Sequence, residues 1–294
     1  MTFLNHLING ISLGSVFAII ALGYTMVYGI AKMLNFAHGD VIMIGAYVSF
    51  CVTSYLNLPV IAAVVISMLV CTVLGIVIER LAYKPLRDAS SLAVLITAIG
   101  VSYFLQNAAL ILWGSNPKIF SSVVAGLPTL SLADGRLVIS SEAIITILAC
   151  IIIMIALSLF TAKTKAGKAM RAVSEDKGAA RLMGINVNFT ISITFAIGSA
   201  LAAVAGVLLC SAYPTLSPTT GAMPGIKAFT AAVFGGIGSI PGAMLGGILI
   251  GIIEIFAKAY ISTKISDAIV FAVLIIVLLV KPEGLLGRKV REKV

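Results

Sequence analysis

The sequence predicts an all-α membrane protein: a polytopic helical bundle of about eight full spans plus one short, broken span, with an inverted repeat relating its two halves. Three observations carry that reading. Hydrophobic residues make up 60% of the 294 and charged residues only 11%, where soluble domains carry about 25% charge. The mean hydropathy is +1.15. The charge is also clumped, for no Asp, Glu, Lys or Arg occurs in 1–31, 41–78, 89–117, 143–162, 182–226, 228–253 or 268–280. A span takes about 20 apolar residues, so most of these windows hold one span and the longest two hold two. Soluble helices would show a polar face, and these show none.

The net charge of +9 does not indicate a nucleic-acid partner. Basic residues gather at 80–87, 163–181 and 281–293, between or after apolar runs, as they do in cytoplasmic loops. No Lys or Arg precedes Lys32, so the first apolar run lacks the basic start of a secretory signal and reads as a retained span. Cys51, Cys71, Cys150 and Cys210 lie inside apolar runs without paired spacing. They read as small buried hydrophobes, not as disulfide or metal partners.

With 79–88, 162–188 and 281–294 on the cytoplasmic side, the N-terminus lies outside and the spans follow in order. Residues 7–30 run inward, 38–56 outward, 59–80 inward and 90–112 outward. The external segment 113–140 holds Pro117, Pro128 and the turn Ala133-Asp134-Gly135-Arg136 between short apolar stretches, which predicts a small hairpin on the outer surface. Residues 141–161 return inward and 188–212 go out. The next stretch, AYPTLSPTTGAMPGIKAFTAAVFGGIGSIPGAMLGG, is interrupted by Pro214, Pro218, Pro224 and Pro241 and by Gly235, Gly236, Gly238 and Gly242. One regular helix is excluded there. About 15 residues, 226–240, separate the break at Pro224-Gly225 from that at Ser239-Ile240-Pro241, fewer than the roughly 20 of a full span. The charge rule requires an odd crossing, so 226–240 is expected to cross, followed by 243–262 outward, 266–281 inward and a cytoplasmic tail, 282–294. The whole of 1–294 reads as one transmembrane domain.

Broken backbone at membrane depth survives only where protein or a water-filled cavity satisfies it. Paired breaks in the two halves of a chain point to a transport site. This chain has two, Lys32–Asp40 and 213–242. Gly14-Ser15-Val16-Phe17-Ala18 echoes Gly198-Ser199-Ala200-Leu201-Ala202 on helices expected to run in opposite directions, as an inverted repeat requires. In the first break, Asn35 or Asp40 could cap the second helix. The functional reading is that Asn35, His38 and Asp40 line a path or gate, since a charge at membrane depth costs about 2.5–3.5 kcal/mol on insertion scales. A proton relay through His38 lacks the carboxylate chain it would need. Glu254 and Lys258 are spaced for an i,i+4 ion pair, expected toward the outer half.

KTKAGKAMRAVSEDKGAARLMGINV, residues 163–187, is the one sizeable polar stretch between spans on the cytoplasmic side. Met170, Val173, Ala180 and Met183 recur at helical spacing among Lys168, Arg171, Glu175, Asp176 and Lys177. This predicts one amphipathic helix capped at Gly184, suited to docking a cytoplasmic partner. GGIGSIPG lacks the Lys-Ser/Thr ending of a phosphate loop, and glycine bends or close helix packing account for it better.

YTMVYGIAKMLNFAHGDVIMIGAY (24–47), MRAVSEDKGAARLMGIN (170–186), GIKAFTAAVFGGIGSIPGAMLGGILIG (225–251) and VLLVKPEGLLGR (277–288) resemble the permease subunits of bacterial high-affinity branched-chain amino-acid ABC importers, in the shorter of their two permease types. The resemblance implies a non-catalytic inner-membrane subunit that moves Leu, Ile or Val inward. It further implies a heterodimer with a second, related permease, two cytoplasmic ATPase subunits and a periplasmic binding protein. The chain would bind no cofactor, ATP and Mg belonging to the ATPases. The family's coupling helix falls on Gly167 through Gly184, with Arg171, Glu175, Asp176, Ala179, Ala180 and Gly184. The translocation path falls on Asn35, Phe36, His38 and Asp40 and on Gly235, Gly236 and Gly238. Similar permeases carry urea, short amides or other amino acids, so the cargo stays open. A stand-alone carrier or channel would show several intramembrane carboxylates. A membrane enzyme would need a nucleophile, acid and base at one depth, where only His38 and Asp40 stand.

Overall fold

The computed structural model describes residues 2–87, 89–122, 129–132 and 137–287. Its first helix, α1 (Thr2–Ala31), is the axis of the bundle. Thirty residues give about 45 Å of helix, and the apolar composition leaves α1 no face that prefers water. Ile19, Ile20 and Leu22 are fully enclosed. Around α1 stand α2 (His38–Ser54), α3 (Val60–Ile78), α4 (Ser91–Trp113), α5 (Ser141–Lys163), α6 (Lys165–Glu175), α7 (Lys177–Leu182), α8 (Val187–Ala212), α9 (Ala222–Gly235), α10 (Ile240–Tyr260) and α11 (Ser266–Val280). Among the described residues the starts of six helices are capped from the preceding residue: Ser90 receives Ala93 N–H, Ser140 receives Ala143 N–H, Thr164 receives Gly167 N–H, Asp176 receives Gly178 and Ala179 N–H, Asn186 receives Phe189 N–H and Ser239 receives Gly242 N–H. Each cap satisfies at least one of the donors a helix start leaves bare.

The basic stretches collect at one end of the bundle. There the π-helical turn 79–83 extends α3, and Arg87 bonds both Glu79 and Asn188. Residues 281–287 fold under α9, with Leu285 N–H on Phe234 O and Leu286 N–H on Gly235 O, both at 2.9 Å. At the far end Phe3 packs on Phe256, His6 on Tyr260, and Tyr47 stacks on Trp113 at 4.4 Å.

α1 and α10 run antiparallel at backbone contact. A Cβ on Gly14 would lie 2.6 Å from Ile248 Cα, one on Gly10 would lie 2.9 Å from Ile252 Cα, and ones on Gly247 and Gly251 would strike the backbone of Ala18 and Gly14. Dispersion between close backbones replaces the hydrophobic effect as the force between membrane helices.

Six helical stretches among the described residues are long and apolar enough to cross a membrane: Thr2–Ala31, Val60–Leu86, Ser91–Trp113, Ser141–Lys163, Val187–Ala212 and Ile240–Tyr260. The expected count of eight full spans is not reached. The stretches 38–56 and 266–281, expected as two further spans, are α2 and α11, of only 17 and 15 residues. α2 is short because it starts inside the bundle, its first residue lying against Gly23 in the interior of α1.

The hairpin expected in 113–140 is present as β2 (Leu130–Leu132) antiparallel to β3 (Leu137–Ile139). Its turn, 133–136, and Pro128 lie outside the described residues, as do 288–294 of the tail. A second pairing, β1 (Lys118–Ile119) with β4 (Thr215–Leu216), ties this segment to the chain leaving α8.

Two glycines separate packing from propensity. Gly14→Ala should lower stability by about 1–3 kcal/mol through overpacking. Gly100→Ala, where nothing lies within 4 Å, should raise it by about 0.5–1 kcal/mol. Thermal unfolding of the purified variants in detergent measures both.

Candidate functional site

Two breaks meet in the middle of the bundle. The first starts where Lys32 takes a left-handed φ of +58°, rare for a residue with a side chain. The chain turns back, and α2 begins at His38. The expected side-chain cap is not there: the N-cap is Ala37, and neither Asn35 nor Asp40 caps the helix. Both side chains are taken by other helices. Asn35 Oδ1 accepts the Tyr83 hydroxyl at 2.9 Å, and Asp40 Oδ1 accepts Gln106 Nε2 at 2.9 Å. Asp40 in the first turn still gains from the helix dipole. The His38 ring lies edge-on to Tyr24, 4.6 Å between centroids, in the notch that Gly23 leaves by lacking a Cβ. Phe36 packs against Phe229 at 5.5 Å. His38 Nε2 and Thr25 Oγ1 are buried without a hydrogen bond among the described residues.

The second break comes from the far end. After α8 the chain passes β4 and reaches α9, whose start abuts the start of α2. A Cβ on Gly39 would lie 2.6 Å from Gly221 O and 3.3 Å from Gly225 Cα. The helix runs through Pro224, earlier than the expected break at Pro224-Gly225, because a proline in a first turn gives up only an N–H that has no partner there. α9 then descends beside α1, from Phe17 near Lys227 through Tyr24 against Phe229 to Gly29 against Gly238. Its 14 residues cover only the basic half, about 21 Å. In place of the single element expected over 226–240, the chain has the stretch 213–221 followed by α9.

Gly235, Gly236 and Gly238 sit away from this junction, in the α9–α10 turn at the basic end. Gly236 and Gly238 have φ of +103° and +92°, which a side chain would strain, and Gly235 lies against Gly242. Between the two groups is a cavity of about 10 Å3, lined by Tyr24, Asn35, Phe229 and Ile237 among others. That is room for about one water.

Lys227 is a residue that motif reading passed over. It is buried, and its Nζ lies 2.8 Å from Glu254 Oε1 and 2.7 Å from Asp267 Oδ1. Lys258 reaches the same Glu254 oxygen at 2.5 Å, which is the i,i+4 pair the spacing predicts. Two ammonium and two carboxylate groups make the cluster neutral, and it joins α9, α10 and α11. The signal was present in the sequence: Lys227 is the lone charge between the empty windows 182–226 and 228–253.

The polar segment 163–187 forms two helices where one was expected. Asp176 ends α6 and caps α7, its Oδ1 accepting Gly178 N–H at 2.7 Å and Ala179 N–H at 2.9 Å. An Asp offers a backbone this alternative to continuing a helix. Met170, Val173 and Ala180 face inward as the spacing requires, but Met183 is 81% and Leu182 90% exposed. Gly184 has φ +78° and closes α7, with Gly184 N–H on Arg181 O and Ile185 N–H on Ala180 O, a Schellman end. Gly167 is pressed against Phe160 and Thr161. Arg171 donates to Ala162 O at 3.1 Å, and Arg171, Glu175, Asp176 and Ala179 are exposed.

A family model described as the branched-chain amino acid transport system permease component matches residues 6–278. The chain belongs to this permease family. It is 46% identical to the high-affinity branched-chain amino acid transport system permease protein LivH of Escherichia coli, over 99% of this chain and 98% of that one. To the corresponding protein BraD of Pseudomonas aeruginosa it is 45% identical, with the same coverage. The autoinducer 2 import system permease protein LsrD of Photorhabdus laumondii is more distant, 25% identical over 93% of this chain and 82% of its own.

The ion cluster of the permease makes a stability prediction. Lys227→Met removes the central cation, and breaking a buried pair costs about 3–5 kcal/mol. Lys258 keeps Glu254 partnered, so a loss near the low end is expected. Lys227→Met with Glu254→Gln should recover part of it. Melting of the two variants in detergent, side by side, is the measurement.

Proposed function

We propose that this permease is the membrane-spanning subunit of an ATP-driven importer that carries leucine, isoleucine or valine into the cytoplasm of a bacterium. The observation that carries the reading is near end-to-end identity of 46% with a relative named for high-affinity branched-chain amino acid transport. The 25% relative is named for a different cargo, so the family alone does not choose the solute and the identity level does. The basic end faces the cytoplasm, because Lys and Arg in short loops remain on that side. This puts the N-terminus outside and α6–α7 inside. Counting α2 and α11 as thinned spans and 213–235 as a broken one restores eight spans plus one. The units α1–break–α2 and α8–break–α9 then form the inverted pair. Each supplies a helix start at mid-depth, the arrangement by which discontinuous helices build transport sites.

The permease hydrolyses nothing. Two cytoplasmic ATPases bind α6–α7 through Arg171, Glu175, Asp176, Ala179 and the exposed Leu182 and Met183, with Gly167, Ala180 and Gly184 shaping the element. A second, related permease completes the path beside Asn35, Phe36, His38 and Asp40, while Gly235, Gly236 and Gly238 form the turn at its cytoplasmic mouth. A periplasmic binding protein supplies the affinity for the amino acid. The path itself needs little, since tight binding to one state would only trap the cargo.

Reconstitution tests this reading. The permease, its partner permease, both ATPases and the binding protein in liposomes should take up labelled leucine only with ATP. Uptake by this chain alone without nucleotide would establish a stand-alone carrier. Leu182→Asp with Met183→Asp should leave insertion intact and cut copurification of the ATPases at least about tenfold, by placing charge in an apolar contact. Pull-down from solubilised membranes reads the outcome, and labelling that finds 163–187 on the outer face would overturn the orientation.

A further inference from the structure

The break at Asp176 gives Lys177 a direction that an unbroken rod would not. Asp176 has an extended backbone, φ −154° and ψ 114°, and Lys177 follows as the first residue of α7. Its Nζ donates to Ala31 O at 3.0 Å. Ala31 is the last residue of α1, and its carbonyl is one of the four that a helix end leaves without a helical partner. A cation at that position also meets the negative end of the helix dipole. Ala31 directly precedes Lys32, where the chain turns left-handed into the first break. Three and six residues on, the same segment is held again, with Asn35 on the Tyr83 hydroxyl and His38 in the Gly23 notch. The turn 32–37 is therefore pinned on one side by the docking element and on the other by the transmembrane core.

We infer that Lys177 is a positioning residue of transport, the polar tie through which movement of α6–α7 reaches the end of α1 and the break that leads into α2. It rests on reading α6–α7 as the ATPase docking element. Lys177 is half-buried and turned toward α1, away from the exposed surface that Arg171, Glu175, Leu182 and Met183 present. Its role is to transmit, and the surface residues hold the partner. The tie is a charge-assisted hydrogen bond. Its loss weakens the link between the two elements without removing either.

The test is made in the full transporter in liposomes, measuring leucine uptake and ATP hydrolysis together. Lys177→Met should leave assembly and hydrolysis within about twofold and lower leucine transported per ATP by about tenfold, the weight of one charge-assisted bond. Lys177→Arg, which can still reach the carbonyl, should restore most of it. In a second measurement, Leu34→Cys in a background without the native cysteines reports thiol accessibility of the turn. Its change on trapping the ATP-bound state should disappear in Lys177→Met. Unchanged uptake per ATP, or an unchanged accessibility response, overturns the inference. So does parallel loss of assembly, hydrolysis and uptake in Lys177→Met and Lys177→Gln alike, which would make Lys177 a folding residue. A wild-type chain that recruits no ATPase would instead sink the docking reading itself.

Discussion

A helix that starts inside a bilayer must place its bare N–H groups against protein, and this constraint organises the permease. α2 and α9 both start at mid-depth, and they start against each other. The contact is made by Gly39, Gly221 and Gly225, where any added Cβ would meet backbone. Two positive helix ends thus face one another in the interior of the bundle, where unsatisfied groups are costly. Asp40 in the first turn of α2 offsets some of that field, and Gln106 on α4 satisfies its carboxylate. The polar residues that stand out in the first break are therefore answered by α3, α4 and α1 and not by the turn itself.

Close backbone packing supplies the rigid frame around this junction. α1 carries α10 on one side through Gly10, Gly14, Gly247 and Gly251, and α8 on another through Gly23 and Gly198. α3 approaches α8 in the same way, at Gly75 against Ser199. The α1–α10 and α3–α8 contacts involve Gly14 and Ser199, which belong to the Gly-Ser pairs at 14–15 and 198–199. Small residues recur because they let helices meet at the distance where dispersion is strongest.

The charged groups divide by depth. Lys227, Glu254, Asp267 and Lys258 form a neutral cluster that ties α9 to α10 and α11 in the far half. At the basic end Arg87, Glu79, Asn188 and Ser192 join α3 to α8. The start of α9 is held by ions and its end by glycine turns and the 281–287 segment. α6 and α7 reach the core through Met170, Val173 and Ala180 and, by the Lys177 hydrogen bond, at the end of α1.

By itself the sequence determined the class and the order of elements. Charge-free windows, clumped lysines and arginines, and proline or glycine at several interruptions are local properties, and local properties set where a helix can run and where it cannot. They placed the first break and the irregular stretch after α8, the hairpin in 113–140, the inward face of Met170, Val173 and Ala180, and the end at Gly184. Only the tertiary structure decided what the breaks do. The partners of Asn35 and Asp40 lie 48 and 66 positions away, and Lys227 finds its carboxylates on two later helices. No periodicity carries such pairings. α2 and α9 are short because each begins against the other, and Asp176 divides the amphipathic rod by capping its second half. Met183 shows the same limit, since a helical spacing that continues across a break no longer points to one face.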